Sequence, residues 1–285
     1  MKIRTSENAH DFQTRLFHRL NAYSLQGLLM DDQHEFTAAI EAVEYEDGDD
    51  KTKVPFTRRE LHARYVLARE VGIPLYILCY ADGIYKIIRV NEEKNQVVLK
   101  LEKNLNENEF IQWWGERKKT VQTKPLNNGG EERLGETIFD RVLRRHGYEW
   151  GGNIDGFVLT ADGQAVKYII DNISVSRPNL NDEPSHYFNS PNPKHGPRYE
   201  GWYAAVKLAN QIHVPHVLFT IDKRDEKKEH IGFTVMDRLT PDGIFYAGNI
   251  KPNSNIIEGM EHIVDIVTER VNTASPPVLV EKSEE

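Results

Sequence analysis

The chain has 285 residues, enough for two domains of ordinary size, and its 39% apolar and 28% charged content excludes an extensively disordered chain. Lys and Arg number 36 against 44 Asp and Glu, a net charge of -8, which argues against a broadly basic nucleic-acid binder but leaves room for a local basic face. The single cysteine, Cys79, excludes an intrachain disulfide and a thiolate zinc cluster, no apolar run is long enough to span a membrane, and with no signal-peptide core after Met1 the expected location is cytoplasmic.

In chain order, Phe12, Leu16, Phe17 and Leu20 fall on one face of an opening helix. The stretch after Gly27 reads as a hairpin turning between Asp31 and His34, followed by an acidic loop from Glu46. Thr57 and Glu60 have the spacing of a capping box, which starts a helix running to about Val71. A strand at Leu75 to Tyr80 follows, then a tight Asp82-Gly83 turn, two more strands, and a short helix carrying Trp113 and Trp114. The turn-rich residues Lys124 to Gly130 read as a linker.

Beyond the linker, Ile138, Phe139, Val142 and Leu143 line a helix that Gly147 can cap. A hairpin follows, from Ile154 to about Ser176. A long proline-punctuated loop, Arg177 to Pro197, leads into a helix faced by Tyr199, Trp202, Tyr203, Val206 and Ala209. A last helix is expected at roughly Ile256 to Val271, with a disordered polar tail after it.

Two segments repeat one pattern. Arg58 to Tyr80 and Arg198 to Ile221 each run amphipathic helix, turn ending in proline (Pro74, Pro215), and apolar strand, and each is preceded by a hairpin and a further helix. Self-similarity of this kind predicts two α/β domains of like topology, at 1–123 and 131–272, joined by 124–130 and followed by a tail at 273–285.

In the second half, Asp155 starts one strand of the hairpin, Lys167 lies on the other, and Glu136 precedes them near the start of a helix. Carboxylates of this kind suit a hard divalent cation, and a lysine beside it can orient a water. The order helix, hairpin, helix, strand from about Gly135 to Ile221, with Asp155 in Asn-Ile-Asp-Gly and Lys167 in Gln-Ala-Val-Lys, resembles the PD-(D/E)xK nuclease superfamily. The resemblance implies two tandem restriction-endonuclease-like domains, each a mixed β-sheet flanked by helices. It implies hydrolysis of DNA phosphodiesters with Mg2+ or Mn2+, with Glu136 and Asp155 holding the metal and Lys167 positioning water. The chain departs from the pattern at Ala165, where the family carries Asp or Glu.

The first half offers a second candidate set, Asp32, Glu41 and Glu44, with Val43 at the lysine position. The basic stretch with Lys194, His195 and Arg198 is the candidate phosphate contact. The alternative function is a catalytically inactive nuclease-fold module that binds nucleic acid or a protein partner in a larger assembly. Plain structural roles compete with each assignment: Asp155 as a turn residue, Lys167 as an edge lysine, Trp113 and Trp114 as core. The histidines have no compact zinc spacing.

Overall fold

The computed structural model describes residues 1–3, 11–118, 136–148, 150–175, 198–222, 230–251 and 256–281. The elements of the first half are β1 (Lys2–Ile3), α1 (Asp11–Leu20), β2 (Tyr23–Met30), β3 (Phe36–Glu44), α2 (Arg58–Val71), β4 (Leu75–Ala81), β5 (Ile84–Glu93), β6 (Gln96–Leu105) and α3 (Glu107–Lys118). Those of the second are α4 (Ile138–Arg145), β7 (Gly152–Leu159), β8 (Val166–Val175), α5 (Arg198–Gln211), β9 (His216–Asp222), β10 (His230–Thr240), β11 (Gly243–Tyr246), β12 (Ile256–Glu258), α6 (Ile263–Thr273) and β13 (Val278–Leu279).

The local signals explain the helix ends. The Thr57 hydroxyl accepts from the Glu60 backbone N–H at 3.2 Å, and the Glu60 carboxylate accepts from the Thr57 N–H at 2.7 Å. Gly72 closes α2 with a φ of 80°, a left-handed geometry that a Cβ disfavours. The Asp140 carboxylate accepts from the Thr137 N–H at 2.9 Å and caps α4 in the same way.

Two compact units emerge, and neither is continuous in sequence. One comprises Met1–Glu7 and Leu25–Asn153, the other Asn8–Ser24 and Ile154–Glu285. The changeovers fall inside β2 and β7, whereas the expected junction at 124–130 lies outside the described residues. As a result, α1 belongs to the unit built from the second half of the chain, and α4 to the unit built from the first.

The first unit carries the strand order β2-β3-β4-β5-β6, with β1 on the end of β3. Its β3–β4 pair is parallel and the other pairs are antiparallel. One face of this sheet, with Ala38, Ile40, Tyr76, Leu78 and Tyr85, packs against Phe110, Trp113 and Trp114 of α3 and against Phe139, Val142 and Leu143 of α4. Tyr85 and Phe110 stack at 4.6 Å. Trp113 and Trp114 are therefore core residues, as the structural alternative held, and are not free to stack on bases.

The second unit repeats the arrangement as β7-β8-β9-β10-β11, again with one parallel pair, β8–β9, along that path. Tyr168, Ile170, Val217, Phe219, Ile231 and Phe233 meet Leu16 and Leu20 of α1 and Ile263, Val267 and Val271 of α6. Each buried leucine in such a cluster contributes about 1.5–3 kcal/mol, so the exchanged helices are integral to the units that hold them.

Two expectations need correction. The segment from Ile256 begins as strand β12 on β10, and the helix starts only at Ile263. The carboxy-terminal residues expected to form a disordered tail are partly ordered: β13 pairs in parallel with β10, Asn210 donates to the Pro277 carbonyl at 2.8 Å, and the Tyr199 hydroxyl donates to Val280 at 2.8 Å. Composition marked the tail as polar but gave no sign of the open side of β10.

Candidate functional site

The hairpins of the two units match residue for residue. In the first, Gly27 pairs with Ile40 and Leu29 with Ala38, then a bulge skips Thr37 so that Met30 pairs with Phe36. In the second, Gly156 pairs with Ile170 and Val158 with Tyr168, then a bulge skips Lys167 so that Leu159 pairs with Val166. The Ala39 N–H donates to the Pro74 carbonyl at 2.9 Å, and the Ile169 N–H to the Pro215 carbonyl at 3.0 Å. The helix exits match as well: Gly72 and His213 are both left-handed, at φ 80° and 57°. This register makes Gln26 the counterpart of Asp155, Thr37 of Lys167, Glu41 of Asp171, and Leu75 of His216.

Lys167 is therefore a bulge residue four positions before Asp171, about 13 Å away along an extended strand. The acid that corresponds to Glu41 is Asp171, and two residues beyond each acid stand Val43 and Ile173 rather than lysine. The sequence pattern around Lys167 could not reveal this, because a bulge changes which residues face each other. The detectable signal was the likeness of Ala39-Ile40-Glu41-Ala42 to Ile169-Ile170-Asp171-Asn172.

Asp155 uses one carboxylate oxygen to accept from the Asn172 backbone N–H at 3.0 Å. Its counterpart Gln26 accepts from the Ala42 N–H at 2.8 Å with its side-chain oxygen. A neutral amide accepts the equivalent backbone hydrogen bond in the other unit. One residue beyond the Gly156–Ile170 pair, Asp155 stands across from Asp171.

Both strand acids are held internally. Glu41 is fully buried on β3, where its Oε1 accepts from Arg64 Nε of α2 at 2.6 Å and from the Gln26 N–H at 3.3 Å. Burial pushes the Glu41 carboxyl up to about 7, against the opposing pull of Arg64. Asp171 Oδ2 lies 2.8 Å from Nε2 of the buried His216 on β9. The cation-capable partner thus comes from the helix in one unit and from the strand in the other. The helix position corresponding to Arg64 is Ala205, set by the matching Ile73–Ala68 and Val214–Ala209 hydrogen bonds, and Ala205 is buried.

Glu136 belongs to the first unit, whereas Asp155 and Lys167 belong to the second, and it forms an ion pair with Arg144 at 2.5 Å. Glu44 accepts from the Ile138 N–H at 2.9 Å and pairs with Arg141 at 3.2 Å, which places it at the start of α4 where a carboxylate is favoured. Asp32 is exposed in the hairpin turn, while its neighbour Asp31 takes the turn N–H groups of Gln33 and Glu35. Lys194 and His195 lie outside the described residues, and Arg198 is described only as the first residue of α5. Cys79 is buried, and burial pushes its thiol up to about 11, which suits a core residue rather than a nucleophile.

Among the described residues no three His, Cys, Asp or Glu side chains come together as a metal-holding group, and no helix is long and apolar enough to cross a membrane. In comparisons with known proteins, no family model, no curated protein and no solved structure matches the chain.

Proposed function

We propose that the chain is a non-hydrolytic module of nuclease-like topology that binds nucleic acid without cutting it. The non-hydrolytic part of the reading rests on one observation: the strand acid of each hairpin is met by an internal partner, Arg64 for Glu41 and His216 for Asp171, and neither has a lysine two residues on; the nucleic-acid part is carried from the sequence resemblance. A hydrolytic site of the type the sequence suggests needs carboxylates open to a cation and a base beside the attacking water. Here those carboxylates hold helix to sheet and strand to strand.

The test is a cleavage assay on plasmid DNA with Mg2+ or Mn2+, run beside Mn2+ calorimetry and an oligonucleotide-binding assay in chelator. The expected outcome is no cation-dependent cleavage, with binding retained in chelator. Chelator-sensitive cleavage lost in both Asp155→Ala and Asp171→Ala would replace this reading with a metal-dependent nuclease. No binding of any oligonucleotide would move the chain to the protein-partner alternative.

A further inference from the structure

In the second unit the residues after α6 lie along α5. Tyr199, Tyr203, Lys207 and Asn210 follow one another at spacings of four, four and three, which places them on one face of that helix. Three of them donate to the tail: the Asn210 amide to the Pro277 carbonyl at 2.8 Å, the Tyr199 hydroxyl to the Val280 carbonyl at 2.8 Å, and the Tyr203 hydroxyl to the Glu281 carboxylate at 2.7 Å. Lys207 Nζ stands 4.0 Å from the same carboxylate oxygen. The sheet supplies the opposite wall. β9 pairs with β10 only as far as Met236, and beyond that point β13 takes its place beside Arg238 and Leu239. There the Val280 N–H donates to the Leu239 carbonyl at 2.9 Å.

The hold on the tail is polar rather than apolar. Of residues 276–281 only Pro277 is buried, and Val278 and Val280 remain 53% and 41% exposed. The groove, by contrast, is well packed: Tyr199 and Tyr203 are buried, and their rings meet at 5.5 Å. A core strand is fixed by its buried side chains. This segment is fixed mainly by donors aimed at its backbone carbonyls and by a cation near its acid, so it can open without disturbing the core. Side-chain donors along one helix face, with main-chain bonds to a sheet edge, are the elements by which extended peptides are recognised. Two of the three side-chain donors meet backbone carbonyls, so the hold does not depend on which side chains stand at 278 and 280.

We propose that this groove binds an extended segment of a partner protein, and that residues 276–281 occupy it in cis. The partner segment has the chemistry of the tail: a proline whose carbonyl meets Asn210, a short aliphatic stretch added as a strand to β10, and a carboxylate that meets Lys207 and the Tyr203 hydroxyl. The tail is tethered at the end of α6, so it competes at a high effective concentration, and a partner enters only when the tail lifts. The site uses neither the hairpin acids nor the nucleic-acid reading above.

The experiment is fluorescence anisotropy with a labelled synthetic peptide of the sequence from Ala274 to Glu285, on the full chain and two full-length variants. V280P/E281A removes the Val280 N–H and the Glu281 carboxylate, which loosens the tail and leaves the groove intact. Y203F/N210A, added to it, removes two donors of the groove. The expected result is peptide binding at least about tenfold tighter in V280P/E281A than in the unmodified chain, because the cis competitor is weakened, and loss of that gain when Y203F/N210A is added. Thermal melts verify that the variants remain folded. No peptide binding by folded V280P/E281A, or equal affinity in all three proteins, would overturn the proposal. Native-state hydrogen exchange on the unmodified chain gives a check that needs no variant: the amides of residues 278–281 should exchange far faster than those of β9, and equal protection would overturn the proposal by making the tail an integral strand. A concentration-dependent dimer of the unmodified chain that the peptide dissociates would assign the groove to the tail of a second copy and overturn the partner reading.

Discussion

Glu41 and Asp171 occupy the same register position in their two hairpins, yet each is met by a partner from a different element. Arg64 reaches Glu41 from α2 at 2.6 Å, and His216 reaches Asp171 from β9 at 2.8 Å. Where the helix supplies the arginine, the strand carries Leu75; where the strand supplies the histidine, the helix carries Ala205. The partner has moved while the acid has stayed, as expected if a buried strand carboxylate must always be answered locally.

That relationship predicts a transplant. His216→Leu alone should cost about 1–3 kcal/mol, because it leaves Asp171 without its hydrogen-bond partner. Adding Ala205→Arg to His216→Leu should recover a measurable part of the loss by rebuilding the arrangement of the first unit. Urea unfolding of the single and double variants is the check. A double variant less stable than His216→Leu would show that α2 and α5 do not sit equivalently over their sheets.

The pH dependence of stability follows from Glu41. Its carboxyl lies near 7 in the folded chain, against an ordinary value of 4.5, and the largest cause is burial. Between those two values the folded chain holds the proton and the unfolded chain has released it. Stability from this site is therefore present below pH 4.5 and falls as pH rises to 7, by at most roughly 3 kcal/mol. In E41L/R64M that component should vanish, so the gap between the two proteins in urea midpoint should change across pH 4.5–7.5. Glu41→Gln, a neutral stand-in for the protonated acid, should remove the same pH dependence and cost less at pH 8 than at pH 4.5. A gap that stays flat over that range would show that Glu41 does not titrate there.

Much of the local structure was legible in the sequence, because its signals act within a few residues. Thr57 with Glu60 started α2, Asp82-Gly83 turned β4 into β5, and Pro74 and Pro215 marked the entry to the parallel strands. The repeat itself was visible as pattern. Three things were not. The bulges at Thr37 and Lys167 are set by strand pairing, so counting from Lys167 pointed to Ala165 when the acid in register was Asp171. The backbone hydrogen bond that Asp155 shares with its counterpart Gln26 depends on strand register and not on local sequence. The exchange of α1 and α4 was hidden because an amphipathic stripe shows that a helix packs against something but does not identify the sheet.

The exchange gives the last prediction, which separates sequence neighbourhood from packing. Leu16 lies in the cluster with Tyr168, Ile170 and Phe219, and Val142 in the cluster with Ile40, Leu78 and Tyr85. Leu16→Ala should cost about 2–5 kcal/mol through lost burial and the cavity left behind; Val142→Ala, which removes less, should cost less. The informative readout is where protection is lost. Native-state hydrogen exchange should quicken in β8 and β9 for Leu16→Ala, although residue 16 precedes β2 in the chain, and in β3 and β4 for Val142→Ala, although residue 142 precedes β7. Local opening follows packing, so each helix should take its hosts with it. Exchange that instead quickens in the strands next along the chain would show that each helix packs on the hairpin that follows it, and would undo the discontinuous division of the two units.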